Sequence, residues 1–130
     1  MIPGGLSEPS LTTARSALQV LFTDTNGANW KRSDGWTTSA DPCKYFGVTC
    51  RGDSVVALRL PANNLQGRIP SSLATQLPLL EHLDLSSNRL QGSLPSQIGS
   101  FPLLVQLKLS RNRLSGAVPD FSQAHFLAEV

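Results

Sequence analysis

Charge is scarce in this 130-residue chain, where Asp, Glu, Lys and Arg make up 15%, against about a quarter in an ordinary soluble domain. The net charge of +2 is too small by itself to imply nucleic acid. Cysteine occurs only twice, far below the roughly 8% at which a short chain reads as a disulfide scaffold. No apolar run approaches the ~20 residues of a membrane helix. A secretory leader needs a basic start, an apolar stretch and a small-residue cleavage site, and Met1-Ile2-Pro3-Gly4-Gly5-Leu6 begins none of these. The expectation is therefore an intracellular protein, or a chain whose leader is cryptic or not shown. Gly4-Gly5 opens no phosphate-binding loop, and no cluster of His and acids has metal-ligand spacing. No metal and no cofactor are expected.

What the chain has instead is leucine. It carries 21, of which 17 lie in residues 55–130, whereas both Trp, the single Tyr and both Cys lie in residues 1–54. The second region repeats itself. Leu58-Arg59-Leu60-Pro61-Ala62-Asn63-Asn64-Leu65-Gln66-Gly67-Arg68-Ile69-Pro70 recurs from Leu83 to Pro95 and again from Leu107 to Pro119. Asn63, Asn88 and Asn112 fall at steps of 25 and 24 residues, and the Gly and Pro positions keep the same steps. A period of this length signals stacked units, because one unit cannot bury its own apolar face. Leu-x-Leu at period 2 predicts a short strand with one face buried. The Asn that follows sits at a turn, where its amide satisfies backbone groups otherwise left unpaired. The Gly relieves a tight backbone position and the Pro ends regular hydrogen bonding. Leu73, Leu77, Leu80, Ile98, Phe101 and Leu104 then return along the convex side.

These units resemble the plant-type leucine-rich repeat, Leu-x-x-Leu-x-Leu-x-x-Asn-x-Leu-x-Gly-x-Ile-Pro. The first unit departs slightly, with Val55 for the opening Leu and a return leg one residue longer. Upstream, Leu11, Ala14, Leu18, Leu21 and Phe22 fall on one helical stripe, with Ser10 or Thr12 as caps and Thr25-Asn26-Gly27-Ala28-Asn29-Trp30 as the stop. Cys43-Lys44-Tyr45-Phe46-Gly47-Val48-Thr49-Cys50 is similar to the family's N-terminal cap motif Cys-x-Trp-x-Gly-Val-x-Cys, with Tyr45 in the Trp position. The helix and its Thr-Asn-Gly-x-Asn-Trp stop resemble relatives in algae, protists and bacteria more than flowering-plant receptors. The resemblance implies an α/β solenoid, a leucine-rich-repeat superhelix with short parallel strands on the concave face and an N-terminal helical cap. The expected organisation is a flexible N-terminus over 1–9, the cap over 10–54, three repeats over 55–79, 80–103 and 104–126, and the start of a fourth. A chain that stops at a fourth strand is expected to be incomplete as a functional unit, since terminal repeats need capping.

Two cysteines seven positions apart admit three readings: half of a metal site, a redox pair, or a disulfide. A structural zinc site needs four ligands, and only His82 and His125 remain as distant candidates. A redox pair is more usually Cys-x-x-Cys. A Cys43–Cys50 disulfide is the reading adopted, and it favours an oxidising compartment. The expected location is secreted or cell-surface, with the cytoplasm as the alternative.

His82, Asp84 and Ser86 have the residue types of a nucleophilic triad. On one strand successive members stand about 6.6 Å apart, beyond the roughly 2.6–3.2 Å that a triad requires. The chain is therefore read as non-catalytic. Aligning the repeats instead places exposed strand residues in columns on the concave face: Ala57, His82 and Gln106; Arg59, Asp84 and Lys108; Pro61, Ser86 and Ser110; then Ala62, Ser87 and Arg111. Asn64, Arg89 and Arg113 follow the ladder positions Asn63, Asn88 and Asn112. The Arg59–Asp84–Lys108 column alternates in sign, so mutual pairing is expected along it, compatible with ligand contact. From Leu85 to Pro119 there is no acid, while Arg89, Lys108, Arg111 and Arg113 are present. That run reads as a solvated face or as a contact for an acidic partner. The expected partner is a protein, peptide or acidic glycan rather than nucleic acid, and any membrane span would lie outside this chain. The resemblance implies a recognition module, the N-terminal part of a cell-surface receptor-like protein in signalling or defence. A secreted inhibitor of a foreign cell-wall hydrolase and an intracellular scaffold are the alternatives.

Overall fold

The structure, a computed structural model, describes residues 3–116, with side chains from Thr12 onward. The period-2 segments form the strands β2 (Ser54–Arg59), β4 (His82–Asp84) and β6 (Gln106–Lys108), which run parallel in one sheet. Strand β1 (Val48–Arg51) pairs antiparallel with β2 and completes the order β1-β2-β4-β6. It covers an edge of β2 that would otherwise present unpaired backbone groups. Leu58, Leu83 and Leu107 are register partners across the three parallel strands, and all are fully buried. Truncating one such Leu to Ala costs about 2–5 kcal/mol. Behind the sheet, the first return leg forms α2 (Ser72–Gln76) and the second a 3-10 turn over Ser96–Ser100. Leu73, Leu77, Leu80, Ile98, Phe101 and Leu104 close the core from that side.

A second sheet was not anticipated from the sequence. Strands β3 (Gln66–Gly67), β5 (Arg89–Ser93) and β7 (Arg113–Ser115) run parallel beside the first sheet. In β5, Leu90 is buried between exposed Arg89 and Gln91. That alternation is strand-like, but β5 and β7 each carry it on a single Leu and β3 on none, so its signal is weak until stacking supplies the neighbouring strands.

The asparagine ladder connects the two sheets. Asn88 Oδ1 accepts from the backbone N–H groups of Asn63 (2.9 Å) and Leu65 (3.0 Å). Its Nδ2 donates to the carbonyls of Leu60, Leu85 and Ser86. Asn112 repeats the pattern one unit on, accepting from Leu90 N–H and donating to Leu85, Leu109 and Ser110. Asn63 has no preceding repeat and reaches the cap instead, where its amide exchanges two 2.8 Å bonds with the backbone of Arg32. The residue before each of these asparagines, Ala62, Ser87 or Arg111, is left-handed at φ 51–59°. The shared turn therefore sets that conformation, not the individual side chain.

In the cap, α1 (Pro3–Asp24) packs Ala14, Ala17, Leu18 and Leu21 into the core. The helix begins well ahead of position 10, and the expected capping residues Ser10 and Thr12 lie inside it. Pro3 suits a first helical turn, and the helix runs on through Pro9 although Pro9 cannot donate to the carbonyl of Gly5. The side chain of Leu11 lies outside those described. Phe22, Trp30, Trp36 and Tyr45 form an aromatic cluster with neighbouring ring centroids 4.8–5.9 Å apart. Its polar atoms are satisfied: Trp30 Nε1 donates to Thr25 O, Trp36 Nε1 to Phe46 O, and Tyr45 Oη accepts from Gln19 Nε2. Tyr45 thus fills the Trp position with a buried ring and a partnered hydroxyl. Cys43 and Cys50 are joined by a disulfide that ties the 3-10 turn Pro42–Lys44 to β1. Gly67 seats the first repeat on this cap. At φ 138° its backbone passes so close to the end of α1 that an added Cβ would lie 2.1 Å from Asp24 O.

Candidate ligand-binding site

The concave columns form as aligned. Register pairs Ala57 with His82 and His82 with Gln106, and likewise Arg59 with Asp84 and Asp84 with Lys108. Their exposures differ from the expectation at one end. Ala57 is only 2% exposed, because it lies between Thr49 of β1 and His82 of β4 and its single methyl does not reach past them. It is not a contact residue. Arg59 is exposed, and His82, Asp84, Gln106 and Lys108 are half-buried.

The mutual pairing expected along Arg59, Asp84 and Lys108 does not form. Among the described residues the ion pairs are Arg32–Asp34 and Arg51–Glu81. Asp84 turns instead to the following turn, where Oδ1 accepts from Ser86 N–H at 3.0 Å and Ser86 Oγ–H at 2.6 Å. Local bonds of this kind suit Asp at the end of a strand. Ser86 and Asp84 therefore do meet, contrary to the spacing argument, because the chain bends after Asp84. The contact is not a triad, since the buried His82 Nδ1 has no hydrogen-bond partner. Two cationic groups, Arg59 and Lys108, thus flank a locally committed carboxylate, with Ser86 and Ser110 at the rim.

Two of the candidate cations stand elsewhere. Arg113 lies on β7 of the second sheet and Arg111 on the exposed turn between the sheets. Among the described residues no three His, Cys, Asp or Glu gather as a metal would require, and no helix is long and apolar enough to cross a membrane.

One pair was invisible to sequence reasoning. Arg51, ending β1, makes 2.7 and 3.2 Å bonds to Glu81, which precedes β4. Those bonds hold the Glu81 carboxyl below its ordinary range and raise Arg51. The partners are 30 residues apart, on different strands either side of β2, and no local pattern announces them.

The family profile described as "Leucine rich repeat" matches residues 53–114. Over 59 residues the chain is 48% identical to the probable inactive receptor kinase RLK902 of Arabidopsis thaliana, covering 45% of this chain and 9% of that protein. By structure it is similar to PEPR1 in the PEPR1–AtPEP1 crystal structure, with a TM-score of 0.78 at 27% identity, covering 92% of this chain and 18% of that one. It is similar too to the Arabidopsis receptor kinase HAESA in complex with the peptide hormone IDA and the co-receptor SERK1. There the TM-score is 0.71 at 32% identity, over 84% of this chain and 19% of that one. The chain thus spans about a tenth of that curated relative and about a fifth of these solved receptor chains.

Proposed function

Because this chain is a plant-type leucine-rich-repeat protein with an N-terminal cap, we propose that it is a non-catalytic recognition module, the N-terminal part of a cell-surface receptor-like protein. Its ligand is a peptide or an extended protein segment received on the concave sheet. The observation that carries this reading is the Arg59–Asp84–Lys108 row, whose two cations have no ion-pair partner among the described residues. His82 and Gln106 line the neighbouring row. Cations left unpaired on a sheet held rigid from behind are ready to receive ligand carboxylates or carbonyls. The Cys43–Cys50 disulfide fits an oxidising, extracellular setting. Similarity to a receptor chain solved with a peptide hormone supports the ligand class.

The test is a random peptide library panned against the chain. Binders should emerge whose affinity falls in Arg59→Ala and in Lys108→Ala at unchanged Tm. Binders indifferent to both substitutions would overturn the concave-site reading.

A further inference from the structure

The second sheet presents a row of exposed polar and cationic side chains. Its outward residues are Gln66 on β3, Arg89 and Gln91 on β5, and Arg113 on β7, all exposed. Register pairs Gln66 with Arg89 and Gln91 with Arg113, so Arg89 and Arg113 are diagonal neighbours on adjacent strands. Arg68 joins them from just beyond β3. An added Cβ at Gly92 would lie 3.0 Å from Arg68 Nε, so this side chain lies across β5 in the space that Gly92 leaves open. Arg89 and Arg113 thus face outward on adjacent strands, with the exposed Arg68 beside them over Gly92. None of Arg68, Arg89 and Arg113 has an ion-pair partner among the described residues. Lys108, grouped with them by sequence alone, belongs to the concave sheet.

We propose that this lateral face docks an acidic, extended polypeptide segment. Charge complementarity sets the sign: between Ser54 and Pro119 the chain has six cations and only Glu81 and Asp84 as acids, and both acids lie on the concave-sheet side. The backbone of Asp24 meets the cap edge of β3 at Gly67, and Asp120 follows β7 in the sequence, outside the described residues. Geometry sets the form. Strands about 4.8 Å apart with outward residues about 6.6 Å apart give diagonal neighbours roughly 8 Å apart. The alternate side chains of an extended segment recur at a similar interval. Guanidinium groups bind carboxylates bidentately, which favours aspartate and glutamate over a diffuse negative field. Among the described residues the outward side chains of this face include no aromatic ring on which sugar rings or nucleobases could stack, and no apolar residue to anchor in lipid. A polypeptide thus fits better than a polyuronate, a nucleic acid or a membrane.

The experiment titrates the full chain with a synthetic peptide of alternating Glu and Ala at two salt concentrations, with an oligouronate in a parallel arm. Wild type should bind the peptide, more weakly at high salt. The triple substitution Arg68→Gln, Arg89→Gln, Arg113→Gln should weaken binding by more than about tenfold. The concave pair Arg59→Gln, Lys108→Gln removes cations that can themselves receive carboxylates, and it should weaken binding by clearly less than the triple substitution does, which separates this surface from the concave site. Thermal unfolding establishes that both variants fold, and if the triple variant does not, single Arg89→Gln and Arg113→Gln carry the same test. Wild-type affinity in the lateral variants, a loss in the concave pair as large as in the triple variant, or tighter binding of the oligouronate than of the peptide would overturn the proposal.

Discussion

Replacing Asn88 by Ala tests the asparagine ladder directly. Asn88 is 9% exposed and holds five backbone groups. Two of these keep another partner after truncation: Leu85 O still accepts from Asn112, and Ser86 O from Ala62 N–H. Three lose their described partner, namely the N–H groups of Asn63 and Leu65 and the carbonyl of Leu60. An unsatisfied buried group costs about 1–3 kcal/mol, and water entering the space left by the amide recovers part of it. The expected loss is therefore about 3–5 kcal/mol, a large fraction of the 5–15 kcal/mol typical of a domain. Asn112→Ala is the control. It orphans only Leu90 N–H and Leu109 O, in a less buried setting, so about 1–3 kcal/mol is expected. Urea unfolding measures both as a fall in midpoint, with an unchanged slope if only stability is affected. A loss below about 1 kcal/mol for Asn88→Ala, or a larger loss for Asn112→Ala, would refute the assignment of stability to these bonds.

Three further outcomes are expected. Gly67→Ala should destabilise by more than about 1 kcal/mol, because its Cβ meets Asp24 O at 2.1 Å on a backbone at φ 138°; Tm should fall, and an unchanged Tm would show that the cap and first repeat separate without cost. Native protein should show no free thiol on labelling, and reducing Cys43–Cys50 should cost about 2–3 kcal/mol, as expected for so short a loop; ready labelling of both cysteines in oxidised, folded protein would contradict the bond. Glu81 has a folded value below its ordinary one because Arg51 bonds its charged form, so its stabilising contribution is complete above the ordinary value and is lost as pH falls through the lower folded value. Glu81→Gln should accordingly flatten the decline of Tm in that acidic window, and an unaltered profile would dissociate the pair from stability.

The fold was legible wherever a residue's job recurs. Leu58, Leu83 and Leu107 do the same thing in each unit, so periodicity predicts both the strand and its partners. Residues with a single job gave no such signal. Arg51 and Glu81 meet once, through tertiary placement. The start of α1 was misread because Ser10 and Thr12 are local capping candidates that the helix runs through. The second sheet was missed for a third reason: its strands depend on hydrogen bonds between units, while each unit contributes at most one inward residue to them. Residues 127–130, where the start of a fourth repeat is expected, lie outside the described part of the chain.

The candidate site was legible as positions and not as chemistry, and the reason lies in how the fold divides its residues. On β4, Leu83 is fully buried and Asp84 points its carboxylate at Ser86. Alignment of the repeats placed Asp84 correctly beside Arg59 and Lys108 but could not show that a turn had already claimed it. The same alignment counted Ala57 as surface, though β1 buries it from the other side. It also merged Lys108 with Arg111 and Arg113, whereas each unit crosses from one sheet to the other at the left-handed residue before its ladder asparagine. At that crossing a left-handed Arg111 costs about 1–2 kcal/mol relative to an unstrained backbone. Because Ala62 and Ser87 adopt the same conformation, the strain belongs to the repeat and is no sign of function at Arg111. Arg59 and Lys108 on one sheet, and Arg68, Arg89 and Arg113 beside or on the other, carry no ion pair among the described residues, and it is on these charges that the two proposed surfaces rest.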